Sequence, residues 1–270
     1  MESVLLLSLA VVTAGIGALG GLGGAVIMVP TLVLVGMPAS HAAPLGLLSV
    51  ASGSLAAGGR QLVERTVHHR LGVTTETAAS AGAVSGALLS GAVSESTLTR
   101  ILALVALGAA FAASRGRDRH LPLSVWSHAL GEERGTLAGA YPVGGKAAPY
   151  QASHLPLGLG FMSVAGLAAG LAGVSGGFIK TPVTTEVMGV PVKVAASTTT
   201  FTVGVTSAAA LIVLAFHGRI DLHHAAPVIA GSLVGGEAGA RLQARLGPSA
   251  IRLALAGVLV VIAAILFINA

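Results

Sequence analysis

Two clusters of small residues hold the chemistry this sequence offers: Gly20, Gly21, Gly23 and Gly24 in one, and Gly173, Ser175, Gly176 and Gly177 in the other. A glycine run lets the backbone leave helical geometry and lets a ligand approach the N–H groups. Where a half-helix starts after such a break, its free N–H groups carry partial positive charge and converge on an oxyanion. The two clusters are therefore candidate anion cradles. The competing reading is that their glycines only let helices pack closely. Recurrence of the cluster favours a site.

Hydroxyls follow each cluster: Ser49, Ser52 and Ser54 after the first, and Ser197, Thr198, Thr199, Thr200, Thr202, Thr206 and Ser207 after the second. A hydroxyl donates to an anion without adding charge, which suits a ligand that must also leave. Serine and threonine also bond back to their own helix. Ser52, Thr198 and Thr199 are the expected contacts, because they lie within a few turns of a Gly-x-Pro turn.

Lys180 is the cation placed inside a predicted apolar segment, where an ionisable residue is functional by default. It can serve as counter-charge for an anion or as a proton-linked switch, or it can snorkel to an interface. Glu186 lies on the same segment, but a spacing of six does not share a helix face. Glu76 and Glu237 are the remaining carboxylates in or near spans, and either could carry protons in a coupled cycle; Glu76, at the predicted start of a span, also reads as an ordinary first-turn acid. Glu237 has Arg241 four residues on, the spacing of a structural pair.

These residues must be positioned by a duplicated scaffold. Gly15–Pro30 and Leu167–Pro182 are two copies of one Gly-rich apolar segment, with Pro182 following Pro30 by 152 residues. Beyond each proline, Gly36-Met-Pro38 and Gly189-Val-Pro191 repeat at an offset of 153 and lead into an Ala- and hydroxyl-rich stretch. Arg65–Arg70 and His217–His224 then repeat as basic turns, and Ala81-Gly82 matches Ala230-Gly231. The chain is 54% hydrophobic and 9% charged over 270 residues, with mean hydropathy +0.87, against about 25% charged in soluble domains. Long apolar runs without alternation specify membrane helices and exclude a barrel.

Apolar blocks fall at about 4–35, 40–57, 74–92, 98–113, 157–187, 195–216, 225–244 and 249–269. The sequence therefore predicts an all-α integral membrane protein of about eight transmembrane helices in two four-span repeats, the first helix of each broken by Gly and Pro. The repeats cover 1–113 and 156–270, joined by a linker over 114–155. An even number of full crossings per half makes the halves parallel, and an extra crossing in the glycine segment inverts them. The linker, rich in Arg, Gly, Pro and Ser, reads as irregular, with a short interfacial helix at Leu123–Leu130 anchored by Trp126 as the alternative. Assigning Arg115, Arg117, Arg119, Arg134, Lys146, Arg60, Arg65, Arg70 and Arg219 to one side leaves Arg100, Lys193, Arg241, Arg245 and Arg252 on the other. Positive-inside bias then puts the linker and both termini in the cytoplasm of a prokaryotic cell.

Several classes are excluded. The chain has no cysteine, so disulfides and thiolate metal sites are ruled out. His68-His69 and His223-His224 do not share a face and give no metal site. Sparse cations in connections do not make a nucleic-acid surface. No Gly-x-x-x-x-Gly-Lys-Ser/Thr or His-Glu-x-x-His occurs, and no Gly-x-Ser-x-Gly at a strand-to-helix turn, so neither ATP hydrolysis nor enzymatic catalysis is expected, and no cofactor.

The duplicated halves, each with a Gly-rich first span ending in Pro, a Gly-x-Pro turn and an Ala- and Ser/Thr-rich second span, resemble the sulfite exporter TauE/SafE family of membrane permeases. The resemblance covers nearly the whole chain outside the linker. It implies a secondary transporter of a small sulfur-containing anion, sulfite or an organosulfonate, across the cytoplasmic membrane. Protons are the candidate coupling ion, and a passive anion channel of the same architecture is the alternative. For such an anion the expected substrate contacts, read from the residues themselves, are Gly20, Gly21, Gly23, Gly24, Ser52, Gly173, Ser175, Gly176, Gly177, Lys180, Thr198 and Thr199. Ser175 interrupts the second glycine run, and Lys180 stands where the first half has Met28.

Overall fold

A computed structural model describes residues 2–90, 130–143, 146–218, 220 and 222–268. The predicted fourth span and the linker up to residue 129 lie outside the described residues. The first apolar block forms α1 (Glu2–Gly20) and α2 (Ala25–Leu34), separated at the glycine cluster. Then come α3 (Ala39–Val63) and α4 (His69–Leu89). The second half repeats the plan: α5 (Leu155–Ala172), a break, α6 (Gly177–Pro182) continuing into a π turn (Val183–Val187), α7 (Val192–Phe216) and α8 (Leu222–Arg245), followed by α9 (Pro248–Ile268). Four of these, α1, α3, α5 and α7, are long and apolar enough to cross a membrane.

The direction of each helix follows from its glycine contacts. Gly231, Gly235 and Gly239 of α8 pack on the carbonyls of Leu7, Val11 and Gly15 in turn, so α1 and α8 run parallel. Gly82 and Gly86 of α4 pack on the carbonyls of Ser163 and Leu167, so α4 and α5 run parallel as well. The two interfaces are one arrangement with the halves exchanged: Gly231 and Gly235 follow Gly82 and Gly86 by 149 residues, and Ser163 and Leu167 follow Leu7 and Val11 by 156. Ser49 meets Ser232 and Gln61 meets Gln243, which sets α3 parallel to α8.

By contrast, Gly58 of α3 faces Phe201 while Gly204 of α7 faces Ser54, so α3 and its counterpart α7 are antiparallel. Equivalent helices of the two halves thus point in opposite directions. The cause is in the glycine segment. Gly24 folds back against Thr13 and Ala14 of α1, so α2 returns part of the way and α3 sets out again in the direction of α1. The extra partial crossing inverts the halves.

The described part of the linker is not irregular. It is a three-stranded antiparallel sheet of β1 (Gly131–Glu132), β2 (Ala138–Val143) and β3 (Lys146–Gln151), with Val143 paired to Lys146 across Gly144 and Gly145. A two-residue glycine connection is a strong hairpin signal, masked at the sequence level by the Pro in each strand. The sheet sits at the end of the body where α3 passes to α4. Glu132 accepts from the Arg70 amide at 3.1 Å and lies 3.1 Å from His68 Nδ1 and 3.4 Å from His69 Nδ1. An acid at the first turn of α4 complements that helix's dipole. Tyr150 meets the His68 ring edge-on and Tyr141 meets Tyr150.

Because α1 and α3 run the same way, the start of α1 lies at the end opposite the sheet. The side assignment based on parallel halves is therefore corrected: Lys193, Arg241 and Arg245 sit with Arg60, Arg65 and Arg70 at the sheet end, tied there by the Lys193 ammonium donating to the Ala244 carbonyl at 3.1 Å.

Two outcomes follow from this packing. Gly86→Val and Gly235→Val, at equivalent carbonyl contacts, are each expected to destabilise by about 1–3 kcal/mol or more through overpacking, read as lost monodispersity and lower melting temperature. Burial lowers the pKa of His68 below its ordinary value of 6.5 despite Glu132. A depressed histidine favours the neutral form in the fold, so stability is lost as pH falls through about 6.5. The difference in melting temperature between wild type and His68→Gln is expected to shift in favour of the variant between pH 7 and pH 5.5.

Candidate functional site

The two breaks meet. At Gly21 the backbone takes φ +68°, and a Cβ there would lie 2.5 Å from the Ala196 carbonyl and 2.7 Å from Thr181 Oγ1. Gly173, at φ +66°, is pressed in the same way on Ala43, which is the residue equivalent to Ala196. Only glycine combines that left-handed conformation with so close an approach. Ser175 donates to the Leu22 carbonyl, Thr181 Oγ1 donates to the Gly21 carbonyl at 3.3 Å, and Gly177 packs on both carbonyls. The carbonyls that the first break strands are thus taken up by the second.

Amide accounting is equally symmetric. The Gly24 carbonyl accepts from Ile27 and Met28, and the Gly176 carbonyl accepts from Ile179 and Lys180. Both breaks therefore open a half-helix, and the first amides of each are donors that the helix itself does not use.

A narrow cavity lies against the first break, lined by Gly17, Gly23, Gly24, Ser49, Ser54 and Thr200 among others. It has about 10 Å³ of room for a water's centre, enough for about one water. A sulfite-sized ion does not fit without movement of the helices.

The hydroxyls divide accordingly. Ser49, Ser54 and Thr200 line the cavity. Ser52 does not line it; all three of Ser52, Ser54 and Thr200 donate to their own helices, at Leu48 (2.7 Å), Ala51 (3.0 Å) and Ala196 (2.9 Å). Thr198 Oγ1 accepts from the His68 amide at 2.9 Å and so fastens α7 to the start of α4. Thr199, buried on α7, is not among the lining residues. Gly23 and Gly24 line the cavity, whereas Gly20, Gly21, Gly173, Ser175, Gly176, Gly177 and Lys180 surround the junction of the breaks or lie beyond it.

Lys180 is 2% exposed and does not snorkel. Its ammonium donates to Glu76 Oε2 at 2.7 Å and to Thr206 Oγ1. Thr206 and Ser80 donate in turn to Glu76 Oε1, the latter at 3.1 Å. Glu76 is therefore neither an ordinary first-turn acid nor exposed; it is the buried partner that sequence spacing assigned to no one. The residues lie 104 apart in the chain, and only the parallel packing of α4 and α7 beside α6 brings them together. Glu237 pairs with Arg241 at 2.8 Å on the outer face of α8, the expected structural pair.

The family model for the sulfite exporter TauE/SafE matches residues 6–266, so nearly the whole chain is covered. This protein is an integral, multi-pass membrane protein of the transporter class, and it belongs to the sulfite exporter TauE/SafE family. Comparisons with curated proteins and with solved structures gave no match.

Ser175→Ala would leave the buried Leu22 carbonyl without its donor. A cost of about 1–3 kcal/mol is expected, read as a lower melting temperature with the helical circular dichroism unchanged.

Proposed function

We propose that the protein is a secondary transporter of a small sulfur-containing anion, sulfite or a sulfonate, built from two inverted four-span repeats with the substrate bound where the broken helices meet. The observation that carries this reading is the junction itself: two half-helix starts with unused amides, crossed at the middle of α3 and set beside a polar cavity of Gly, Ser and Thr. Family membership supplies the anion class.

Anion recognition here rests on the amides of Gly23 and Gly24 and on the hydroxyls of Ser49, Ser54 and Thr200, with the second cluster and Lys180 completing the site as the helices move. Ser52 serves as a helix bond and Thr198 as a tie in this arrangement. A cavity of one water's size favours alternating access over an open channel. The sheet end, with Arg60, Arg65, Arg70, Arg134, Lys146, Lys193, Arg241 and Arg245, faces the cytoplasm by positive-inside bias, and the start of α1 then faces the other side of the membrane.

Purified protein is expected to be stabilised by sulfite, thiosulfate or methanesulfonate and not by equimolar acetate, with a melting shift that grows with occupancy. In proteoliposomes the preferred anion should show saturation and trans-stimulation. Thr200→Val removes one donor to a charged ligand, a loss of about 1.5–3 kcal/mol, and should weaken binding at least tenfold while the protein stays monodisperse. Absence of counterflow with intact uptake would replace the carrier with a channel.

A further inference from the structure

The buried pair Lys180–Glu76 has no counterpart in the other half. The positions equivalent to Lys180, Thr206 and Glu76 are Met28, Gly53 and Ala225, and both Met28 and Ala225 are buried. The fold thus closes the same junction with apolar side chains on one side and with an ion pair on the other. A buried ion pair pays a desolvation cost that well-packed apolar residues avoid, so packing alone does not explain it. The pair also lies next to the proposed site. Thr206, which bridges both charges, is one helical turn beyond Val203, a cavity-lining residue, and Lys180 is the fourth residue after Gly176 of the second break.

We propose that Glu76 is a built-in counter-anion for Lys180 which a substrate anion displaces, and that the displacement loads one proton onto Glu76. The proposal rests on the reading of the chain as an anion transporter. The balance is simple. An ammonium–carboxylate pair, a monovalent anion and a proton become an ammonium–anion pair and a neutral carboxylic acid. The buried site has zero net charge before and after, which a dehydrated interior requires. Without the proton, the released Glu76 carboxylate would stand unpaired beside the incoming anion. Each monovalent anion is therefore carried with one proton, and the cycle is electroneutral symport.

The other ionisable groups around Glu76 leave this exchange to the pair. Lys180 faces it from α6. Leu155–Ala172, the whole of α5, carries no titratable residue. From α7 it meets Thr206, while the ionisable Lys193 is at the far N-terminal end, bonded to Ala244. On α4 itself, His69 and Arg70 stand at the first turn, where Glu132 is held. Glu186 lies on the π turn beyond α6, six residues from Lys180.

Calorimetric titration of the full-length purified protein with methanesulfonate, which stays singly charged, and with sulfite tests the exchange between pH 5.5 and pH 8. Wild-type affinity for methanesulfonate is expected to rise about tenfold per unit fall in pH above the point where Glu76 protonates, as linkage of one proton demands. Glu76→Gln, which mimics the protonated acid, should bind methanesulfonate at pH 8 as tightly as wild type does at low pH, and that affinity should be flat with pH. Wild-type affinity that is flat with pH, or a Glu76→Gln variant no tighter than wild type at pH 8, overturns the proposal and leaves the transporter reading standing. Binding of neither probe by wild type at any pH removes the transporter reading and this one with it. If Glu76→Gln fails to fold, the double variant Glu76→Gln/Lys180→Met takes its place; it should be monodisperse and bind neither probe, and binding equal to wild type overturns the role of the pair.

Discussion

Inside hydrocarbon every backbone N–H and C=O must find a partner in the protein, and this membrane protein interrupts two of its helices, after Gly20 and after Ala172. The rest of the molecule is arranged around that demand. The carbonyls stranded at Gly21 and Leu22 are met by Thr181 and Ser175 from the other half. Neither break can exist without its counterpart, so each half is an incomplete object. That interdependence fits the largest interfaces among the described helices, α1 with α8 and α4 with α5, which join the halves rather than lying within them.

The same demand separates two roles for glycine that composition merges. Gly82, Gly86, Gly231 and Gly235 let helices approach until a carbonyl occupies the space of a side chain. Gly23 and Gly24 instead line the cavity beside the first break. Gly21 and Gly173 do neither alone, since their left-handed backbone makes the turn and their missing Cβ makes room for the opposite half.

The symmetry is broken electrically. Around the second break, Lys180, Glu76, Thr206 and Ser80 form a closed polar group, while the equivalent place in the first half is apolar. The sheet breaks the symmetry a second time by covering one end of the body only, with Glu132 set at the start of α4. The two halves are therefore unlike, one charged at this place and the other apolar.

By itself, the sequence determined the membrane class, the duplication, the two breaks and the family. These depend on local composition and spacing: apolar length sets a span, and Gly with Pro interrupts it wherever it falls. It also carried the Glu237–Arg241 pair, because four residues on one helix are neighbours in any fold. Tertiary structure alone decided the inversion of the halves, since helix direction depends on whether α2 turns back, and a run of glycines permits a turn without setting its angle. It alone set Ser49, Ser54 and Thr200 against the cavity and Ser52, Thr198 and Thr199 away from its lining, because which face of α3 or α7 meets the break is set by packing. The partner of Lys180 was equally hidden. Glu76 lies in another half and on another helix, and a pair so distant in sequence is made only when the chain brings α4, α6 and α7 together.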